Sequence, residues 1–407
     1  MSAKNKPQIN VSYSYNPLEE TLEVIPSHKN LYIGIPNESE YSENRVPLIP
    51  SAVHVLVNNG HRIAIESNAG LASAYTDNEY SEAGAQIVHD KKQVFEADLI
   101  LKTATLVEAE LPFLKSNQII FSPVHSSTIN KKIIETCLEK KIIGISIGNI
   151  KDDANNYPIV RAMSQIAGVQ AIHIASYYLS NNHKGRGILM GGIAGVPPAT
   201  VVIIGAGMVG EFAARTAIGC GADVKVFDNS IYRLMRLQRT VGQTVYTSVI
   251  DPKILTKVLK YADVVIGAVK MQKGVVPLIV TENMVEKMKL GSVIIDINID
   301  HGGCIETSKV TSHENPVFTK HGVIHYCVPN IASGVARTSS KAISNNLMPL
   351  LLSLNDMVGG ATSNLYQKPG LLSATYMYKG KLTSKVLSKK FNLKFTDLNL
   401  ILNMGIK

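Results

Sequence analysis

The chain has 407 residues, 45% of them hydrophobic and 18% charged. At about 150 residues per domain this suits two or three domains with substantial cores and excludes a disordered chain. Its 41 lysines and arginines outnumber 32 acidic residues, a net charge of +9, but they are scattered rather than gathered into a patch, which disfavours nucleic-acid binding.

Four cysteines, Cys137, Cys220, Cys304 and Cys327, are widely spaced with no CxxC pair. That usage suggests reduced, packed thiols and a cytoplasmic setting. The opening MSAKNKPQIN has no apolar stretch of the secretory kind. No apolar run approaches the ~20 residues of a membrane helix. These features predict an intracellular enzyme with no membrane partner.

Residues 1–28 are polar and without a steady apolar period, and read as an N-terminal extension. From there, short β-branched runs at 31–35, 61–66, 99–102, 118–121 and 141–147 alternate with helix-like stretches. One such stretch is 51–59, opened by Ser51 after Pro50. A long helical stretch at 163–180 bridges to a second series, with strands at 201–204, 223–227, 263–268, 292–296 and 323–326. The Gly/Pro-rich segment 185–198 is the loop that feeds it. Helical periods return at 339–354, and a lysine-dotted tail is expected to pack back on the first lobe. Strand–helix alternation predicts an α/β fold of parallel sheets with crossover helices. The division expected is 29–158 plus 337–407 for substrate and 159–336 for nucleotide.

The clearest motif is VVIIGAGMVGEFAARTAIGCGADVKVFD. Gly205, Ala206, Gly207, Met208, Val209 and Gly210 follow an apolar strand and open a helix, the context a dinucleotide fingerprint requires. Gly205 suits the tight turn, Gly207 lets the backbone approach a pyrophosphate, and Gly210 lets helix and strand pack closely. Asp228, 23 residues after Gly205, can bind ribose hydroxyls and repel a 2′-phosphate, which favours NAD over NADP. Taken alone, Asp228 equally suits a cap for the next helix. Gly267, Ala268 and Val269 end a second strand where such loops line the cofactor crevice, though Gly267 also suits a plain turn.

Three segments carry candidate chemistry. IGIPNESEYSENRVPLIP holds Glu38, Glu43 and Arg45; NQIIFSPVHSST places His125 after a strand; SVIIDINIDHGGCIET puts Asp300 before a glycine pair. Singly, each is ambiguous. His301, Cys304 and His313 lack the tight spacing of a zinc site; of His321, His325 and Cys327, the last two share one side of a predicted strand, which packing alone explains, so no metal is predicted.

In ordered combination, GIPNE…ENRVPLIP, ADLILK, GILMGGIAGVPPATVVIIGAGMVG and DINIDHGGCIETS resemble the alanine dehydrogenase and nicotinamide nucleotide transhydrogenase alpha-subunit family, in the dehydrogenase form. The resemblance implies two Rossmann-like, doubly wound parallel-sheet domains with the active site in the cleft between them. It also implies NAD-dependent oxidative deamination of L-alanine to pyruvate and ammonium, and the reverse, by a homo-oligomer, hexameric in many alanine dehydrogenases. By position, Arg45 would clamp the substrate carboxylate, and His125 and Asp300 would be the acid/base pair. Ser164 would contact the cofactor, and Asn330 and Ile331 would close over the nicotinamide side. The chain departs from the family at Ala104, where alanine dehydrogenases carry a substrate-binding lysine, and at ISIGN, where a glutamate is expected. Lys102 would reach the substrate in its place, or else make a structural ion pair. A soluble transhydrogenase subunit, an NAD(H)-sensing pseudoenzyme and a saccharopine dehydrogenase are the alternatives.

Overall fold

The strands of the computed structural model gather into two sheets, one from each βα series. It describes residues 30–38, 43–124, 129–269, 276–354 and 368–404. The first sheet takes β1 (Tyr32–Ile35), β2 (Arg62–Glu66), β3 (Gln86–Val88), β4 (Leu99–Leu101), β5 (Ile119–Ser122) and β6 (Ile143–Ser146). The second takes β7 (Thr200–Ile204), β8 (Asp223–Phe227), β9 (Tyr246–Ser248), β10 (Val264–Gly267), β11 (Val293–Asp296), β12 (Val317–Lys320) and β13 (Val323–Tyr326). The tail then returns as β14 (Thr375–Tyr378) and β15 (Lys381–Leu382), extending the first sheet antiparallel to β6.

The orders are β15-β14-β6-β5-β4-β1-β2-β3 and β12-β13-β11-β10-β7-β8-β9. In each, the first strand of the series sits between neighbours reached in opposite directions: β1 between β2 and β4, β7 between β8 and β10. Such switch points open a crevice at the carboxyl ends of the strands, where α/β sheets bind ligands. Arg45 follows β1 and the glycine motif follows β7, so both lie on chain leaving those ends.

Both faces of each sheet are buried, which is why the strands read as continuous β-branched runs rather than alternating ones. Ile33, Ile35, Leu99, Leu101 and Phe121 pack on one face of the first sheet, and Ala64, Ile100 and Ile120 on the other. Val201, Ile203, Val264 and Ile266 face one way in the second, and Val202, Ile204 and Val265 the other. The 21-residue helix Pro158–Tyr178 links the two cores, with Ile159 in the first and Ala171, Ile172 and Ala175 in the second. The helix Ala336–Leu352 comes back across to the first core through Ile343, Leu347 and Leu351. Its small Ser340 and Ser344 accept hydrogen bonds from the backbone of Val46 and Ile49, fixing the segment that carries Arg45.

The long helix starts at Pro158, ahead of the expected Met163, because proline supplies a preset φ at a first helical position. The first helix is Pro50–Asn58: Pro50 itself opens it, and Ser51 is not its cap. β3, β9, β12, β14 and β15 were not expected. All are short, and β9 and β12 are only partly buried, so their apolar signal is weak.

Candidate functional site

At the carboxyl end of β7 the backbone makes the required turn, with Gly205 at φ +110°. A Cβ on Gly205 would stand 2.3 Å from the Ala268 carbonyl, so the loops after β7 and β10 are in contact there. A Cβ on Gly210 would fall 1.8 Å from the Gly205 carbonyl, so only glycine lets helix Met208–Gly219 sit this close to its strand. A Cβ on Gly207 would meet nothing within 4 Å. The helix N-terminus therefore has an open side for an anion. Met208 and Val209 form its first turn, half-buried beside that opening.

Asp228 lies one residue beyond β8 and is nearly buried. Its carboxylate accepts 2.7 Å hydrogen bonds from Ala206 N–H and from Ser230 N–H, with Arg233 Nη1 at 3.5 Å. The next helix is capped by Ser230, so the carboxylate holds the glycine loop and is no helix cap. An open glycine cradle at a 12-residue helix, with a carboxylate at the end of the following strand, is a donor set that fits NAD.

At the carboxyl end of β1, Glu43 grips Arg45 side-on: Arg45 Nε to Oε1 at 2.7 Å and Nη2 to Oε2 at 2.6 Å. Asn330 Nδ2 donates to Oε2 at 2.9 Å and Ser333 Oγ to Oε1 at 3.1 Å. Burial pushes the Glu43 carboxyl up, but the Arg45 guanidinium and the donors around it win and hold it below its usual range. Asn330 sits in the left-handed region, φ 59°, which asparagine tolerates. Ile331 is buried in the second core. Arg45 Nη1 meets the Met163 sulfur at 3.4 Å, next to half-buried Ser164 on the long helix.

Lys102 is fully buried, with its Nζ 2.9 Å from Glu38 and 2.6 Å from Glu110. Burial pulls the ammonium down, and the two carboxylates more than offset this and hold it above its ordinary value. Of the two roles open to Lys102, this is the ion pair. Glu38 also accepts from the backbone of Thr103 and Ala104 and from the Thr103 hydroxyl, so it shapes the exit of β4.

Asp300 lies on the short turn Ile299–His301 after β11, one-third exposed, 3.8 Å from His301 Nε2. The neighbouring Asn298 donates to the Val269 carbonyl, tying this turn to the loop after β10. No ion pair joins Asp300 to Arg45 among the described residues, and His125 lies outside them. Buried Asp296, at the end of β11, braces the turn that follows: its Oδ2 accepts from Cys304 N–H at 3.1 Å and Ser308 Oγ at 2.9 Å. Burial raises its carboxyl above the usual range.

Family comparison settles the relationship of the chain. Residues 34–167 match the model "Alanine dehydrogenase/PNT, N-terminal domain", and residues 171–385 match "Alanine dehydrogenase/PNT, C-terminal domain". The chain belongs to the alanine dehydrogenase/PNT family. It is 37% identical to alanine dehydrogenase 2 of Staphylococcus aureus (strain MRSA252) over 373 residues, 91% of this chain and 100% of that one. It is 38% identical to an alanine dehydrogenase of Methanococcus maripaludis over 375 residues, 92% and 100% of the two chains. The fold superposes on a solved L-alanine dehydrogenase with a TM-score of 0.84 at 32% identity, covering 89% of this chain and 99% of that one.

Within this family's fold, Glu38 and Glu43 stand out in the sequence without a role, and Asp296 does not stand out at all. Glu43 had a signal, the spacing of two from Arg45, which allows a local fork. Asp296 had none, because its partners Cys304 and Ser308 reach it only through the fold. His325 Nε2 lies 2.7 Å from the Thr307 hydroxyl and its ring stacks on Phe318, while His321 joins Glu282 in an ion-pair cluster with Lys320. The four cysteines are free thiols.

Proposed function

We propose that the chain is an NAD-dependent amino-acid dehydrogenase that deaminates L-alanine oxidatively to pyruvate and ammonium, and runs the reverse reductive amination. The observation that carries this reading is the placement of Arg45. Its side-on edge is held by Glu43, its remaining edge is turned toward the Met163–Ser164 turn, and Asn330 is hydrogen-bonded to the same carboxylate. A guanidinium fixed in this way can clamp a carboxylate bidentately and so set the direction of the Cα–H bond. Bound at Gly205–Gly210, Asp228 and the loop 267–269, NAD supplies the acceptor for the two electrons that leave Cα.

His125 is proposed as the acid/base near the substrate oxygen and nitrogen, a role worth about 10²–10⁴-fold in rate. Asp300 is proposed to take a proton from the water that attacks the imine. Ser164, Asn330 and Ile331 are proposed to contact the cofactor. Lys102 serves the site from behind, by fixing Glu38 and the exit of β4.

We further propose the division into 29–158 plus 337–407 and 159–336, a homo-oligomeric assembly and a cytoplasmic location. No helix among the described residues is long and apolar enough to cross a membrane.

The test is NADH absorbance with purified protein and a panel of small amino acids, then with pyruvate and ammonium. Turnover with L-alanine and a preference for NAD over NADP are expected. Turnover with none of the panel in either direction overturns the reading. The same panel with Ala104→Lys reads the family departure: a sharp rise in activity means the missing lysine limits the enzyme.

A further inference from the structure

The Glu43 carboxylate has more partners than an ion pair needs. Its two oxygens receive Arg45 Nε, Arg45 Nη2, the Arg45 backbone N–H at 3.0 Å, Asn330 Nδ2 and Ser333 Oγ. A carboxylate offers about four lone-pair positions, so five donors saturate it. Glu43 is 6% exposed, and its side chain has no acceptor capacity left for substrate or for a catalytic proton.

The consequence falls on Arg45. A guanidinium presents a side-on fork from Nε and one Nη, and an end-on fork from both Nη groups. Glu43 occupies the first. The end-on fork remains, and among the described residues it meets the thioether of Met163 at 3.4 Å, a weak acceptor. A carboxylate arriving there exchanges a poor acceptor for a good one, with the arginine already aimed.

The other two donors come from a different part of the fold. Asn330 and Ser333 belong to the segment leaving β13, the last parallel strand of the second sheet, whereas Glu43 and Arg45 follow β1 of the first. One buried carboxylate therefore joins the arginine of one lobe to the loop of the other.

We propose that Glu43 is a positioning residue that both aims the substrate-binding fork of Arg45 and couples substrate binding to nucleotide binding through Asn330 and Ser333. This rests on the function proposed above, in which Arg45 holds the carboxylate and Asn330 lies beside the nicotinamide. With Ala104 where a second cation is expected and Lys102 committed to Glu38 and Glu110, the orientation of Arg45 carries the carboxylate selectivity. The predicted substrate class is a small 2-amino or 2-oxo acid with one carboxylate at the end-on fork.

The experiment uses the full chain and its Glu43→Gln, Glu43→Asp, Ser333→Ala, Arg45→Ala and Glu43→Gln/Arg45→Ala variants. KM and kcat are measured for L-alanine and pyruvate. NADH binding is followed by fluorescence with and without oxamate, an unreactive 2-oxo acid mimic. Glu43→Gln is expected to raise KM at least tenfold, with a smaller loss in kcat. It is also expected to shrink by threefold or more the factor by which oxamate tightens NADH. Glu43→Asp restores part of both, and Glu43→Gln adds nothing to KM once Arg45 is alanine.

Should Glu43→Gln fail to fold, Ser333→Ala, which keeps the fork and removes one tie, must still lower the coupling factor. A Glu43→Gln enzyme with KM and coupling within twofold of the parent overturns the proposal, as does a further KM increase in the double variant. These failures are separable from failure of the functional reading, which is a parent protein without turnover.

Discussion

At Lys102 a fully buried ammonium lies between two carboxylates, Glu38 and Glu110, both themselves buried. Removing one member of such a cluster strands the others, which typically costs 3–5 kcal/mol. Lys102→Met should therefore lower stability by about that amount in urea titrations. Glu43 carries a pH dependence of its own. Its carboxyl is held below 4.5 in the folded protein, so its ion pair contributes above that value and is lost as pH falls through the lower folded one. Melting curves through the acid range should drop more steeply for the parent than for Glu43→Gln; parallel curves would contradict the assignment.

The glycine turn and its helix are the element whose geometry is most tightly specified. The Gly210 Cβ position, 1.8 Å from the Gly205 carbonyl, leaves no room for a methyl group. Gly210→Ala should push helix Met208–Gly219 off β7, weaken NADH binding at least tenfold in fluorescence titration and lower the melting temperature. Unchanged binding would mean that the turn does not hold the nucleotide. At this same scale sequence and structure part ways in an instructive manner. The long parallel-sheet strands were legible because burial on both faces makes them uniformly apolar. β9 and β12 were not, being short, partly exposed edge or near-edge strands with little apolar signal. β14 was hidden for another reason: TYMY has β propensity, but its partner β6 lies more than two hundred residues earlier, and no local pattern announces that pairing.

Across the whole molecule, the chain crosses between its two cores on helices Pro158–Tyr178 and Ala336–Leu352, and then closes the first sheet with its own tail. Deleting residues 369–407 should remove β14 together with its buried Tyr376 and Met377, and so expose the β6 edge and the apolar surface they cover in the first lobe. An open apolar edge of that kind aggregates. The expected readout is loss of the monodisperse species in size-exclusion chromatography; a truncated protein that elutes and melts like the parent would show that the tail is dispensable.

By itself the sequence determined the alternation of strands and helices, the glycine turn with its acidic partner, and the ordered motifs shared with alanine dehydrogenases. All of these are local or short-range patterns, dictated by backbone sterics and by which side chains can be buried. Only the tertiary structure decided what each charged group does. It gave Lys102 to two buried glutamates, turned Asp228 onto the glycine loop, set Asp296 behind the turn of Asp300, and brought Asn330 and Ser333 to Glu43 from nearly three hundred residues away. The reason is physical: a buried charge is stable only with partners, and partners are assigned by packing in three dimensions, which spacing along the chain does not encode.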